Sequence, residues 1–272
     1  MSSIVLATLN ARFLHASLGL RYLHANMGEL GTQTQIKEYV LGTRPVEIVE
    51  SLLGGDQPPK IIGFGVYIWN VEETTKVVAM LKQVAPQILI VLGGPEVSYE
   101  VDEQRICALA DHVITGWGDV TFPKLCARLI IGDRPTAKVT PGEQPALDAI
   151  SFPYSLYSDD DIAKRFLYVE ASRGCPFKCE FCLSSLDKTA WPFDLEGFLG
   201  ELDALHSRGA RHFRFVDRTF NLNVKASLRI LEFFLERMDD RLFIHFELIP
   251  DHLPDALKAA ISRFPPDRKS VV

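Results

Sequence analysis

Apolar residues in this chain come in two alternating rhythms: short unbroken runs, and longer segments with helical spacing. Ile4-Val-Leu-Ala-Thr-Leu9 is a run that reads as a buried strand. Leu18 to Leu30 reads as a helix, Gln35 to Val40 as a second strand, and Val46 to Leu53 as a short helix stopped by Gly54-Gly55. Ile61 to Ile68 is a third strand. Val71 to Val84 follows as a helix with Val77, Val78 and Leu81 on one face. Ile88 to Leu92 is a fourth strand, ending at Gly93-Gly94-Pro95. A helix over Asp102 to Ala110, a strand over His112 to Thr115 and a helix over Val120 to Ile130 complete the series.

Strands without polar alternation, separated by helices, predict an α/β fold: a doubly wound parallel sheet covered on both faces. Ligands of such sheets bind beyond the carboxyl ends of the strands. Those ends here are Asn10 to Leu14, Tyr67 to Asn70, Gly93 to Val97 and Gly116 to Asp119. Their glycines either let a ligand approach the backbone or only make tight turns. Asp119 is read as an N-cap for the helix at Val120, a role compatible with a ligand on neighbouring backbone N–H groups. There is no Gly-x-Gly-x-x-Gly at the first turn and no Walker loop, which argues against a standard dinucleotide or nucleoside-triphosphate site.

The chain therefore divides into residues 1–132, a connector over 133–164 and a second domain over 165–272. Pro135, Pro141, Pro145 and Pro153 mark the connector as irregular, and Asp159-Asp160-Asp161 near its end reads as a solvated turn. In the second domain, strands over Arg165 to Ala171, His212 to Asp217 and Leu242 to Leu248 alternate with helices over Leu195 to His206, Ala226 to Met238 and Pro254 to Phe264. Three successive βα units are the start of a barrel whose active face lies at the strand carboxyl ends. Asp217 and Glu247 fall at that face. Each either binds a ligand there or sits in a structural ion pair.

Composition narrows the class without naming a chemistry. Of 272 residues, 47% are apolar and 24% charged, and the formal net charge is −6, so no basic field argues for nucleic acid. No apolar run is long enough to span a membrane, and the N-terminus lacks the basic start of a signal peptide. Five cysteines, three of them clustered, do not form a secreted disulfide framework, and a cytoplasmic location is expected.

Those three cysteines carry the most specific signal. Cys175, Cys179 and Cys182 are spaced Cys-x3-Cys-x2-Cys in a loop after the first barrel strand. Three close thiolates suit one metal centre with a fourth position left open. An iron–sulfur cluster fits this set, and a zinc knuckle or buried free thiols are the alternatives. Cys107 and Cys126 fall in helices and read as packing residues.

With Phe181 before the third cysteine, this loop resembles the signature of radical S-adenosylmethionine enzymes. The resemblance implies that the three cysteines bind a [4Fe–4S] cluster and that Phe181, Asp217 and Glu247 contact S-adenosylmethionine. It also implies a one-electron reductant, such as a flavodoxin or ferredoxin, and a small-molecule substrate that the sequence does not specify. The segment from Ser3 to Ile131 resembles the cobalamin-binding domain found upstream in one class of these enzymes. Its most telling residues are Gly63-Phe-Gly-Val-Tyr-Ile-Trp-Asn70, Leu92-Gly-Gly-Pro-Glu-Val97 and Gly116-Trp-Gly-Asp119. By resemblance, Asn10, Leu14, Gly65, Tyr67, Gly93, Gly94, Pro95, Glu96, Gly116 and Gly118 line the cobalamin site. His15 does not stand in an Asp-x-His-x-x-Gly motif, so the resemblance gives cobalt no histidine ligand from the protein.

The expected activity is reductive cleavage of S-adenosylmethionine leading to methyl transfer, cyclisation or rearrangement at an unactivated carbon. Residues 165–272 hold about three βα units of roughly 30 residues each, where this family's barrel has six. A truncated chain that keeps cluster or cobalamin binding without catalysis is therefore the second expectation.

Overall fold

In the computed structural model, which describes residues 3–55, 57–180, 182 and 189–272, the chain forms two units that divide between Pro153 and Tyr154. The first contains β1 (Ile4–Asn10), α1 (Leu18–Ala25), β2 (Thr34–Val40), α2 (Pro45–Leu53), β3 (Ile61–Gly65), α3 (Val71–Val84), β4 (Leu89–Gly93), α4 (Arg105–Leu109), β5 (His112–Thr115), α5 (Thr121–Ile130) and β6 (Val139–Pro141). All neighbours pair in parallel, in the order β2-β1-β3-β4-β5-β6.

Both faces of this sheet are covered, which explains the missing polar alternation. Val5, Ala7 and Leu9 of β1 join a core with Leu52 of α2, Val77 and Leu81 of α3, and Ile106 of α4. Ile4 and Leu6, pointing the opposite way, join Leu20 of α1 and Phe122, Leu125 and Leu129 of α5. Cys107 and Cys126 belong to these two cores, one in each. Burial pushes the Cys126 thiol up to about 12 and raises Cys107 as well, consistent with packing rather than reactivity.

The second unit contains α6 (Asp159–Lys164), β7 (Leu167–Val169), β8 (Ser172–Gly174), β9 (Ala190–Pro192), α7 (Leu195–Ser207), β10 (His212–Phe215), α8 (Val224–Leu235), β11 (Phe243–Phe246), α9 (Asp255–Ser262) and β12 (Lys269–Val271). A parallel sheet in the order β12-β11-β10-β7 follows the chain step by step, as successive barrel strands do. Its helix-covered face is aromatic. Phe215 meets Phe198, Phe220, Phe234 and Phe246 at centroid distances of 4.9–6.1 Å.

Several expected boundaries move. The first helix stops at Ala25, and a separate 3-10 turn over Gly28–Gln33 begins at Gly28, whose φ is 55°. The helix expected from Asp102 starts at Arg105, after a 3-10 turn over Val101–Glu103. The connector is not wholly irregular: it supplies β6 to the first sheet and α6 to the second unit. Its acid run is the first turn of α6. There Ser158 and Asp161 form a capping box, and Asp161 pairs with Arg165 at 3.0 Å. A fourth barrel strand, β12, lies in the segment beyond the third expected helix. Among the described residues, no helix is long and apolar enough to cross a membrane.

Candidate functional site

In the first unit the sheet order reverses between β1 and β3, so the chain leaves these two strands toward opposite faces. That is the switch point where open α/β sheets hold ligands. Four loops meet the carboxyl edge there, and polar side chains fix their shapes.

Asn70, fully buried, ties the β3 loop to β1. Its Nδ2 donates to the Leu9 carbonyl at 3.0 Å and lies 3.2 Å from both Thr8 Oγ1 and the Gly65 carbonyl, while its Oδ1 accepts from Tyr67 N at 2.8 Å. The loop thus held stacks Tyr67 on Trp69, with ring centroids 4.5 Å apart and planes 8° apart. It also leaves Ile68 77% exposed and Trp69 half-exposed.

Next to it, Gly94 adopts φ 114°, and a Cβ there would lie 2.4 Å from the Val66 carbonyl oxygen. Only glycine permits that approach of the β4 loop to the β3 loop. Ser98 then joins the β4 and β5 loops. Its hydroxyl donates to the Gly94 carbonyl at 2.8 Å and accepts from Gly116 N at 3.0 Å. Gly116 has φ 72° and open space around the position of a Cβ. Phe13, Leu14 and Tyr99, all exposed, lie in the loops following β1 and β4, the same edge as Ile68 and Trp69.

The residues expected to line this site occupy one edge, with different roles. Gly65, Gly93, Gly94, Pro95, Glu96, Gly116 and Gly118 form or flank the three glycine-rich loops, and Leu14 is exposed after β1. Asn10 is buried, and its amide donates to Glu38 Oε1 at 2.9 Å. Glu38 also accepts from Ser17 N and pairs with buried Arg21 at 2.9 Å, so Asn10 helps set the start of α1. The Tyr67 hydroxyl is held by Ser17, and burial raises its pKa. Asp119 is buried beside the helix start, where Val120 rather than Asp119 is the N-cap of α5. Asn70, Ser98 and Glu38 carry no signal in the sequence itself, because each acts through at least one partner well separated along the chain: Leu9 for Asn70, Gly116 for Ser98, and Asn10 and Arg21 for Glu38.

In the second unit the cysteine segment is the loop of an antiparallel ribbon. β8 pairs with β9 in the register Ser172↔Pro192, Arg173↔Trp191 and Gly174↔Ala190. Gly174 has φ 89°, and a Cβ there would lie 2.1 Å from the Thr189 carbonyl oxygen, so the ribbon closes over a glycine. Cys175 follows at once and is buried, Cys182 is half-buried and Cys179 exposed. Cys182 N donates to the Cys179 carbonyl at 3.1 Å, which places those two residues in one turn.

Asp217, at the end of β10, anchors this ribbon. Its carboxylate accepts from Ala171 N at 3.0 and 3.2 Å and from Ser172 Oγ at 2.6 Å. Burial, opposed by those hydrogen bonds, lifts its pKa from 3.8 to about 7. Beside it Arg173 pairs with Glu170 at 2.7 Å. Glu247 accepts from Arg218 at 2.8 Å, the ion-pair arrangement considered from sequence. Thr219 and Asn221 do not cap α8. Asn223 does, accepting from Ala226 N, whereas Asn221 exchanges two 2.8 Å hydrogen bonds with the backbone of Ile249. Phe181 lies outside the described residues.

Among the described residues, no three His, Cys, Asp or Glu side chains are grouped so as to hold a metal ion. By donor type and position the cysteines still fit an iron–sulfur cluster: three soft thiols on one clamped loop beside the end of the first barrel strand.

Residues 4–126 match the B12 binding domain family. Over 197 residues the chain is 31% identical to an uncharacterized methyltransferase of Pyrococcus horikoshii, covering 63% of this chain and 42% of that protein. Over 161 residues it is 28% identical to the cobalamin-dependent radical SAM methyltransferase TokK of Streptomyces tokunonensis, covering 49% of this chain and 23% of that protein. It spans less than half the length of these relatives. Among solved structures, the radical S-adenosylmethionine methyltransferase TsrM of Kitasatospora setae with cobalamin and [4Fe-4S] cluster bound has a TM-score of 0.69 at 15% identity, covering 97% of this chain and 57% of that one. The cobalamin-dependent S-adenosylmethionine radical enzyme OxsB has a TM-score of 0.70 at 16% identity, covering 96% of this chain and 41% of that one. The chain is thus similar in sequence to proteins named as methyltransferases, one of them a cobalamin-dependent radical SAM enzyme, and the solved structures share its fold.

Proposed function

We propose that this chain acts as a cobalamin-dependent radical S-adenosylmethionine methyltransferase. The observation that carries this reading is the ribbon-clamped cysteine loop beside the first barrel strand, downstream of a sheet that matches the B12 binding domain family. Cys175, Cys179 and Cys182 hold a [4Fe–4S] cluster, and the β1, β3, β4 and β5 loops of the first unit hold cobalamin. When bound, the cluster supplies the electron that cleaves S-adenosylmethionine, and cobalamin supplies a methyl carrier. A flavodoxin or ferredoxin is the proposed electron source.

The chain's own residues position these groups. Gly174 allows the β8–β9 ribbon to close, and Asp217 fixes the base of that ribbon, from which the cysteine segment sets out. Asn70, Gly94 and Ser98 lock three loops of the first unit together around a face that presents Ile68 and Trp69. Such a rim suits the large partly apolar face of a corrin ring.

Anaerobic reconstitution tests the reading. The wild type should bind about four irons per chain and one cobalamin, and should release 5′-deoxyadenosine on reduction. Cys175→Ala, Cys179→Ala and Cys182→Ala should each lose the cluster absorbance while keeping cobalamin. A wild-type chain that binds one zinc and no iron refutes the proposal. One that binds both cofactors without forming 5′-deoxyadenosine supports the non-catalytic alternative instead.

A further inference from the structure

The barrel sheet has a second face. Leu167, Val169, Phe213, Phe215, Ile244 and Phe246 are buried on the helix side, so residues of the other parity point away from the helices. Strand register sets four of these side by side. Tyr168 of β7 is opposite Arg214 of β10, Arg214 is opposite His245 of β11, and His245 is opposite Ser270 of β12. All four are half-buried. A polar row across four adjacent parallel strands is unusual, because such strands are ordinarily apolar on both faces.

Arg214 is the centre of this row. It hydrogen-bonds the Tyr168 hydroxyl, and its guanidinium carbon lies 4.3 Å from the centroid of the Phe166 ring, which fixes the plane of the group. Its Nε is buried without a hydrogen-bond partner among the described residues. The two carboxylates at the next level of this face are already engaged: Glu170 with Arg173 and Glu247 with Arg218. Burial, and then the charge of Arg214, hold His245 below its ordinary pKa, so at neutral pH its ring is uncharged and the guanidinium is the charge of the row.

We infer that Tyr168, Arg214 and His245 form a subsite for a carboxylate of the substrate, with Arg214 as the charged fork and the other two as hydrogen-bonding flanks. A guanidinium presents paired donors that match a carboxylate. One positive charge near two paired acids favours a singly charged anion over a phosphate dianion. This assignment rests on the proposed function, which makes the open face of the barrel sheet the substrate side. It narrows the substrate class to molecules bearing a carboxylate.

The test is a titration of the full chain with sodium acetate at constant ionic strength, following the His245 ring signals by NMR. Those signals are assigned with His245→Asn, and inorganic phosphate serves as a second arm. Acetate should shift the wild-type signals saturably. Arg214→Gln should weaken binding on the order of tenfold or more, and Arg214→Lys should lie between. Arg229→Gln, altering an exposed α8 residue 3.7 Å from Glu196, should match the wild type. Tyr168→Phe should weaken acetate binding even if Arg214→Gln fails to fold. His245 signals that do not move with acetate, equal binding in Arg214→Gln and wild type, or tighter binding of phosphate than of acetate each overturn the inference. Iron content and 5′-deoxyadenosine formation report separately on the proposed function, because acetate binding does not need the cluster.

Discussion

Asp217 holds the base of the cysteine ribbon at the cost of burying an ionisable group. In the folded chain its pKa is near 7, while an unfolded aspartate titrates near 3.8. Between those values the folded state keeps a proton that the unfolded state has lost. Unfolding therefore releases a proton, and stability falls as pH rises through this window. Above about 7 both states are ionised and the full cost is present. From about pH 5 to about pH 8 the loss from this one group is about 2.5 kcal/mol. Asp217→Asn keeps an acceptor for Ala171 N and offers a donor to Ser172 Oγ but does not titrate. Urea unfolding of the unreconstituted wild type and variant, measured across that range, isolates the term, since every other titrating group is shared. The variant's stability relative to wild type should improve by about 2.5 kcal/mol over the window. Parallel curves would show that the carboxyl is already ionised in the folded chain at pH 5 and would refute the reasoning.

The remaining predictions concern the first unit. Asn70→Ala leaves Tyr67 N and the Leu9 carbonyl without their side-chain partner, and should cost about 2–3 kcal/mol in urea unfolding. Gly94→Ala forces a Cβ into the Val66 carbonyl at a positive φ; it should cost about 2 kcal/mol or more and weaken cobalamin binding, read from the corrin absorbance. Glu38→Ala leaves buried Arg21 without its 2.9 Å partner and should destabilise by about 3 kcal/mol, measured in the same assay. Ser98→Ala removes the hydroxyl between Gly94 and Gly116. It should cost about 1 kcal/mol in stability while weakening cobalamin binding more than its stability loss implies.

Apolar pattern made most of the fold legible. Strand β5 (His112–Thr115) and helix α3 (Val71–Val84) match the sequence expectation residue for residue, because burial defines both: His112, Val113 and Ile114 are buried in β5, and Thr74, Val77, Val78 and Leu81 form the buried face of α3. The pattern was silent where backbone pairing, not burial, defines the element. β6 (Val139–Pro141) is an edge strand that is mostly exposed, β8 and β9 are three-residue strands joined across the cysteine segment, and β12 is half-exposed. None of these carries an apolar signature strong enough to separate it from loop. The site divides the same way. Glycines and cysteines could be picked out by type and spacing. The residues that shape the loops, Asn70, Ser98 and Glu38, are ordinary polar residues, identified only by partners up to 62 positions away in the chain.

Asp217 links both kinds of information. From sequence it was an acid at the end of a barrel strand, a candidate contact for S-adenosylmethionine. In the structure both carboxylate oxygens are used on the cysteine ribbon, through Ala171 N and Ser172 Oγ. A group so engaged cannot also serve a ligand amine without giving up one of those bonds or ionising fully. An ammonium nearby would favour the ionised carboxylate and lower its pKa from about 7. Binding a cationic ligand at this edge would then release a proton from Asp217 near neutral pH, whereas a purely structural Asp217 would release none. The same residue would thereby couple the shape of the cysteine loop to what occupies the strand end beside it.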